Sequence, residues 1–168
     1  MMRSGLRSAV ALLLLGAVLA GCRWDTDGPG ARLPVAQVGS LVHRWAESDS
    51  AEAPGVRAVR RHHLEPQLIT DEQQWSRFVR GLPASLRTTE ARQDLDRVDL
   101  RHSVVVVAAY GKCTEVSHLE DRGDARLAFV VTSDPKTNCA WSPTQLEIWQ
   151  VGLDELGVDD GGSVRLTG

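Results

Sequence analysis

The sequence predicts an α+β domain in which a small antiparallel sheet, a meander of short strands, is covered by one or two helices. Three observations predict it. From residue 103 onward, short apolar or alternating runs are separated by tight polar connections, which is the pattern of antiparallel strands. Before that point, Trp75, Phe78 and Val79 fall at i, i+3 and i+4, one apolar stripe of a helix. Helices so few and so placed have one way to bury their stripes, against a face of the sheet.

In chain order, Val35–Trp45 holds apolar residues without a clean period and fits a strand or a short helix. Glu47–Gly55 reads as an acidic loop ending in Pro54-Gly55. Val56–Leu64 reads as extended, because Val59 and its neighbours alternate loosely with arginines. Thr70-x-x-Gln73 has the form of a capping box, and Asp71 and Glu72 suit the positive N-terminal end of the helix that follows. Gly81 and Pro83 stop that helix. A second, weaker helix occupies Thr89–Leu95.

Ser103–Tyr110 is a continuous run rich in valine, expected as a central strand buried on both faces, and Gly111 breaks it. Thr114–Glu120 is a mostly polar strand, and residues 121–124 turn the chain into Ala125–Thr132. Ser133–Asn138 is a second turn. Thr144–Val151 alternates, with Leu146 and Ile148 on one face and Glu147 and Trp149 on the other. Gly157–Gly168 is a Gly- and Asp-rich tail with a short strand at Val164–Leu166.

The first residues carry a different signal. Arg3 and Arg7 precede an apolar segment, Ala9–Ala20, that closes on Leu19-Ala20-Gly21-Cys22. This segment is too short for a bilayer, which needs about 20 apolar residues, and has the length of a signal-peptide core. The four-residue motif resembles the lipobox of bacterial lipoproteins. The resemblance implies that Cys22 receives a diacylglyceryl thioether, that cleavage follows Gly21, and that Cys22 becomes the new N-terminus. The chemistry fits the residue types: the thiolate is the nucleophile, and two acyl chains give stable anchoring where one does not. The expected organisation is a lipoprotein signal peptide at 1–21, a lipidated N-terminus and flexible tether at 22–34, a single globular domain at 35–156 and the tail at 157–168. Gly28-Pro29-Gly30 at the tether's centre argues against a core there. The expected location is the extracytoplasmic face of the cell membrane.

Removing the first 21 of 168 residues leaves 147, enough for one domain with a core. It also removes two arginines and no acid, so the net charge of −3 becomes −5. With that charge and no Lys/Arg run, nucleic acid is excluded as a partner. Acylation of Cys22 leaves Cys113 and Cys139, which are expected to pair in an oxidising compartment. Their spacing is far from Cys-x-x-Cys, which makes the bridge a staple and not a redox or zinc site.

A second likeness lies in the order of segments over residues 56–152. Gln74-Trp75-Ser76-Arg77-Phe78 precedes Val98-Asp99-Leu100, the valine strand ending in Tyr110-Gly111, and Pro143-x-x-Leu146-x-Ile148-x-x-Val151. This order is similar to the C-terminal domain of the protease-complex-stabilising lipoproteins first described in spirochaetes. Cys113 stands where that family carries a glycine-rich segment. The resemblance implies a protein-interacting module without catalysis.

Candidates for chemistry are few. His62 and His63 are adjacent, so on a strand they point to opposite faces and do not share an ion. His63/Glu65 and His118/Glu120 would share a face and read as surface pairs. Gly-x-Ser-x-Gly, His-Glu-x-x-His, phosphate-loop and Ser-x-x-Lys patterns do not occur. Hence no catalytic residue, metal or cofactor is assigned. The rival class is an envelope hydrolase whose site is not contiguous in sequence. Trp141 and Trp149 either pack on the disulfide or in the core or stand exposed as anchors, and Arg57, Arg60 and Arg61 form either a solvated strand edge or a cationic face; the exposed readings together make the candidate binding surface. The expected partners are membrane lipid, through acylated Cys22, and an envelope protein.

Overall fold

Four consecutive valines, Val104–Val107, are all at most 1% exposed, which requires cover on both faces of their strand. The computed structural model describes residues 35–61 and 65–167. The leader, Cys22, the tether and the His62-His63 pair lie outside the described residues.

The elements are β1 (Ala36–Val38), β2 (Ser40–Ala46), α1 (Ala53–Arg60), β3 (Gln67–Ile69), α2 (Glu72–Gly81), α3 (Thr89–Leu95), β4 (Ser103–Gly111), β5 (Val116–Asp121), β6 (Arg126–Thr132), β7 (Thr144–Gly152) and β8 (Arg165–Thr167). The fold is α+β, and its strands divide between two sheets ordered β2-β7-β4-β3 and β1-β5-β6-β8. All pairs are antiparallel except β6 with β8. Val105 and Val107 join Trp45, Val56, Trp75, Leu86, Leu146 and Ile148 in a core beneath the helices. Val104 and Val106 face the other way, into a core with Leu119, Leu127, Val151 and Val164. The order of layers is therefore helices, first sheet, second sheet.

The strands after residue 103 alternate between sheets where one meander was expected. β5 and β6 form a hairpin, β4 pairs with β7, and the connections β4–β5 and β6–β7 both cross between the sheets. These connections are tied together by the Cys113–Cys139 disulfide, with Cα atoms 6.3 Å apart, and by Lys112 N–H donating to Pro143 O at 2.7 Å. β1 passes into β2 through the single residue Gly39, at φ 76°, where a Cβ would stand 2.7 Å from Gln150 O. Only glycine fits such a crossing.

Residues 53–60 form a helix, where the sequence reads as the end of a loop (Glu47–Gly55) and the start of an extended segment (Val56–Leu64). Ala53, Val56 and Val59 are buried at a spacing of three, while Arg57 and Arg60, each following a buried valine, lie on the solvent side. Pro54 lies in the first turn, where its missing N–H is not needed. Gly55 lets the helix approach the 3₁₀ turn at Ala84–Leu86, since a Cβ there would lie 2.6 Å from Leu86 Cγ.

The α2 stripe is as expected, with Trp75 buried and stacked on Phe78 at 5.6 Å. Its cap lies one residue later, because Asp71 Oδ1 accepts from Gln74 N–H at 2.8 Å. Thr88 caps α3 by accepting from Ala91 N–H at 3.1 Å. The Gly- and Asp-rich end is integral to the fold. Val158 and Leu166 pack on the inter-sheet core, Val164 is buried in it, and β8 is a sheet strand.

Candidate binding surface

The helical form of residues 53–60 gathers the three nominated arginines. Arg57, Arg60 and Arg61, at i, i+3 and i+4, stand on neighbouring turns at the C-terminal end of α1. That position has a structural benefit of its own, since cations suit the negative end of the helix dipole. Together with Glu47 they line a cavity of 540 Å³. Arg57 Nε donates to Glu47 Oε1 at 2.7 Å, and Glu47 Oε2 accepts the Thr144 N–H at 2.9 Å. Arg60 Nη1 donates to Thr144 Oγ1 at 3.2 Å, and Arg61 Nε to Arg57 O at 3.4 Å. Among the described residues, neither Arg60 nor Arg61 forms an ion pair with a carboxylate. Three cations thus face one anion.

The hydrogen bond from Arg57, followed by that from the Thr144 N–H, lowers the Glu47 carboxyl from the ordinary 4.5 to about 2. A carboxylate depressed in the folded state stabilises fully above its unfolded value and loses that contribution as pH falls toward the folded one. The thermal midpoint of the wild type is therefore expected to fall between pH 4.5 and about 2. In Glu47→Gln that part of the decline should be shallower. Parallel melting curves of the two proteins across this window would disprove the assignment.

The two nominated tryptophans separate. Trp141, 61% exposed, lies on the β6–β7 connection just after Cys139. Its neighbour Ser142 lines a smaller cavity of 160 Å³ with Arg60, Tyr110, Gly111 and Thr144, so this connection adjoins the arginine cluster. Trp149 is half-buried between the sheets, and its Nε1 donates to Glu147 Oε2 at 2.9 Å.

Glu147 is a site that sequence reading missed. It is fully buried, although an alternating strand ordinarily turns its charged residues to solvent. Arg44 reaches its Oε1 through Nε at 2.9 Å and Nη2 at 2.8 Å. The Tyr110 hydroxyl lies 3.0 Å from Oε1 and 3.2 Å from Ser117 Oγ, and Ser117 donates to Oε2. Burial, above all, pushes the Tyr110 phenol above its ordinary value. Both carboxylate oxygens are fully engaged, so the group ties β2, β4, β5 and β7 together and is not free to act as a base or ligand. The only sequence signal was the company of Tyr110 and Ser117, which becomes visible once the second sheet is known.

Three histidines sit on acids. His43 Nδ1 is 2.8 Å from Asp94 Oδ2, which fastens β2 to α3, and its ring meets Trp45 edge-on at 4.5 Å. His102 Nδ1 is 3.1 Å from Asp99 Oδ2 on an exposed turn, and His118 Nε2 is 3.0 Å from Glu120 Oε1. Ser117 and His118 are adjacent but point to opposite faces of β5. Among the described residues, no histidine is hydrogen-bonded to a hydroxyl or thiol, and no group of three or more His, Cys, Asp or Glu side chains is arranged to hold a metal ion. No helix among them is long and apolar enough to cross a membrane. In comparisons with known proteins, the chain matches no family model, no curated protein and no solved structure.

Proposed function

We propose that the protein is a lipid-anchored, extracytoplasmic module that binds or scaffolds an envelope protein, presenting the arginines of α1 and Trp141 to it. The observation that carries the binding role is the cavity lined by Arg57, Arg60 and Arg61, with exposed Trp141 on the connection whose Ser142 lines a second cavity together with Arg60. Arginine and tryptophan are the residue types that most often anchor protein interfaces. The address rests on Leu19-Ala20-Gly21-Cys22 behind its apolar segment. The Cys113–Cys139 bridge supports it, because disulfides persist outside the reducing cytoplasm. The order of segments over residues 56–152 supports the same class through its likeness to the protease-complex-stabilising lipoproteins.

Two measurements test the reading. In a Cys22→Ser variant the protein is expected to leave the detergent phase on partitioning, and persistence there would overturn the anchor. Affinity purification of the anchored wild type from membranes is expected to recover a protein partner, and Trp141→Ala should weaken its retention. Recovery of no partner, together with a hydrolase activity lost in His118→Ala, would establish the enzyme instead.

A further inference from the structure

Resting on that reading, we propose that the cavity at the end of α1 recognises a carboxylate-bearing, acidic segment of the partner. The chain itself displays the chemistry. Glu47 already docks one carboxylate against this wall, held on one oxygen by the Arg57 guanidinium and on the other by a backbone N–H. Arg60 and Arg61 offer the same planar fork of donors, which matches a carboxylate in geometry as well as charge. Their recorded bonds, one to a hydroxyl and one to a carbonyl, use a fraction of the five N–H donors each carries.

Charge distribution narrows the ligand further. The chain is acidic overall, so a cationic cavity on it steers an acidic segment to one place and repels it elsewhere. A volume of 540 Å³ admits more than a single carboxylate, and the adjoining Trp141 connection offers an apolar surface to its neighbours. Anionic membrane surfaces fit less well. They are read by clusters of four to eight basic residues at about 1 kcal/mol each, whereas here three arginines share their cavity with Glu47. That same carboxylate disfavours a doubly charged phosphate more than a singly charged carboxylate.

The test uses the purified full chain and a fluorescein-labelled hexaglutamate peptide, read by anisotropy. Saturable binding is expected, weakening between about 50 and 200 mM salt. The Arg60→Ala/Arg61→Ala double variant, with an unchanged circular-dichroism spectrum, should bind about tenfold more weakly or worse. Acetate, a single carboxylate, should displace the peptide at lower concentration than inorganic phosphate. No binding, binding unaffected by the double variant, or displacement by phosphate first would each overturn the proposal. The membrane capture experiment separates this failure from that of the parent reading. A partner retained equally by the wild type and the double variant leaves the scaffold and removes the acidic segment. Absence of any partner removes the scaffold, while the peptide titration still decides the cavity's chemistry.

Discussion

Replacing Glu147 by alanine is expected to lower the unfolding free energy by about 3–5 kcal/mol, read from the denaturant midpoint at constant slope. The carboxylate is fully buried and accepts from Arg44, Tyr110, Ser117 and Trp149, so its removal strands donors drawn from four strands. Arg44 is about half exposed and regains water, which places the loss toward the lower end. Tyr110, Ser117 and Trp149 have no such relief in full, since they lie between the sheets. Glu147→Gln keeps the shape and one acceptor, and should lose less than the alanine variant. A loss below about 1 kcal/mol in Glu147→Ala would show that the cluster does not hold the sheets together.

Removing the bridge with Cys113→Ser and Cys139→Ser together should destabilise by about 3–4 kcal/mol, the range expected for closing a loop of this length. The bridge joins the two connections that cross between sheets at one end of the molecule, so its loss is expected to loosen the segment carrying Trp141 before the hairpin. In the native wild type, thiol labelling without reductant should find neither cysteine reactive. Two labelled thiols in the folded protein would refute the bridge.

What the sequence discloses depends on how local the deciding interaction is. The stripe of Trp75, Phe78 and Val79 and the valine run of β4 are periodic within one element, and both elements form as read. The stretch from Val56 misleads because valines and arginines interleave closely enough to imitate a strand. The helix becomes evident only when Ala53, Val56 and Val59 are seen to share one buried side. Thr70 and Asp71 are both competent caps, and the choice between them falls to backbone geometry.

The site divides in the same way. Arg57, Arg60 and Arg61 could be nominated from their clustering, but the partners that make a cavity of them are distant. Thr144 is 84 residues from Arg60 and 97 from Glu47. Trp149 pairs with Trp141 by proximity in sequence, yet the alternation of β7 turns it inward with Glu147. An alternating strand names two faces without saying whether a second sheet covers the polar one. That ambiguity accounts for the missed carboxylate.

The order β1-β5-β6-β8 bears on how the molecule is made. β1 is synthesised before the β5–β6 hairpin and is at hand to pair with it, but β6 waits for β8, which lies beyond the whole of β7. During that interval β6, at Arg126, Leu127 and Ala128, presents an unpaired edge to other chains in the same condition. Pairings this distant in sequence also fold slowly, which lengthens the exposure. The growing polypeptide therefore passes through an adhesive stage that ends only when Arg165–Thr167 are laid down, and a holding chaperone has most to protect at that stage.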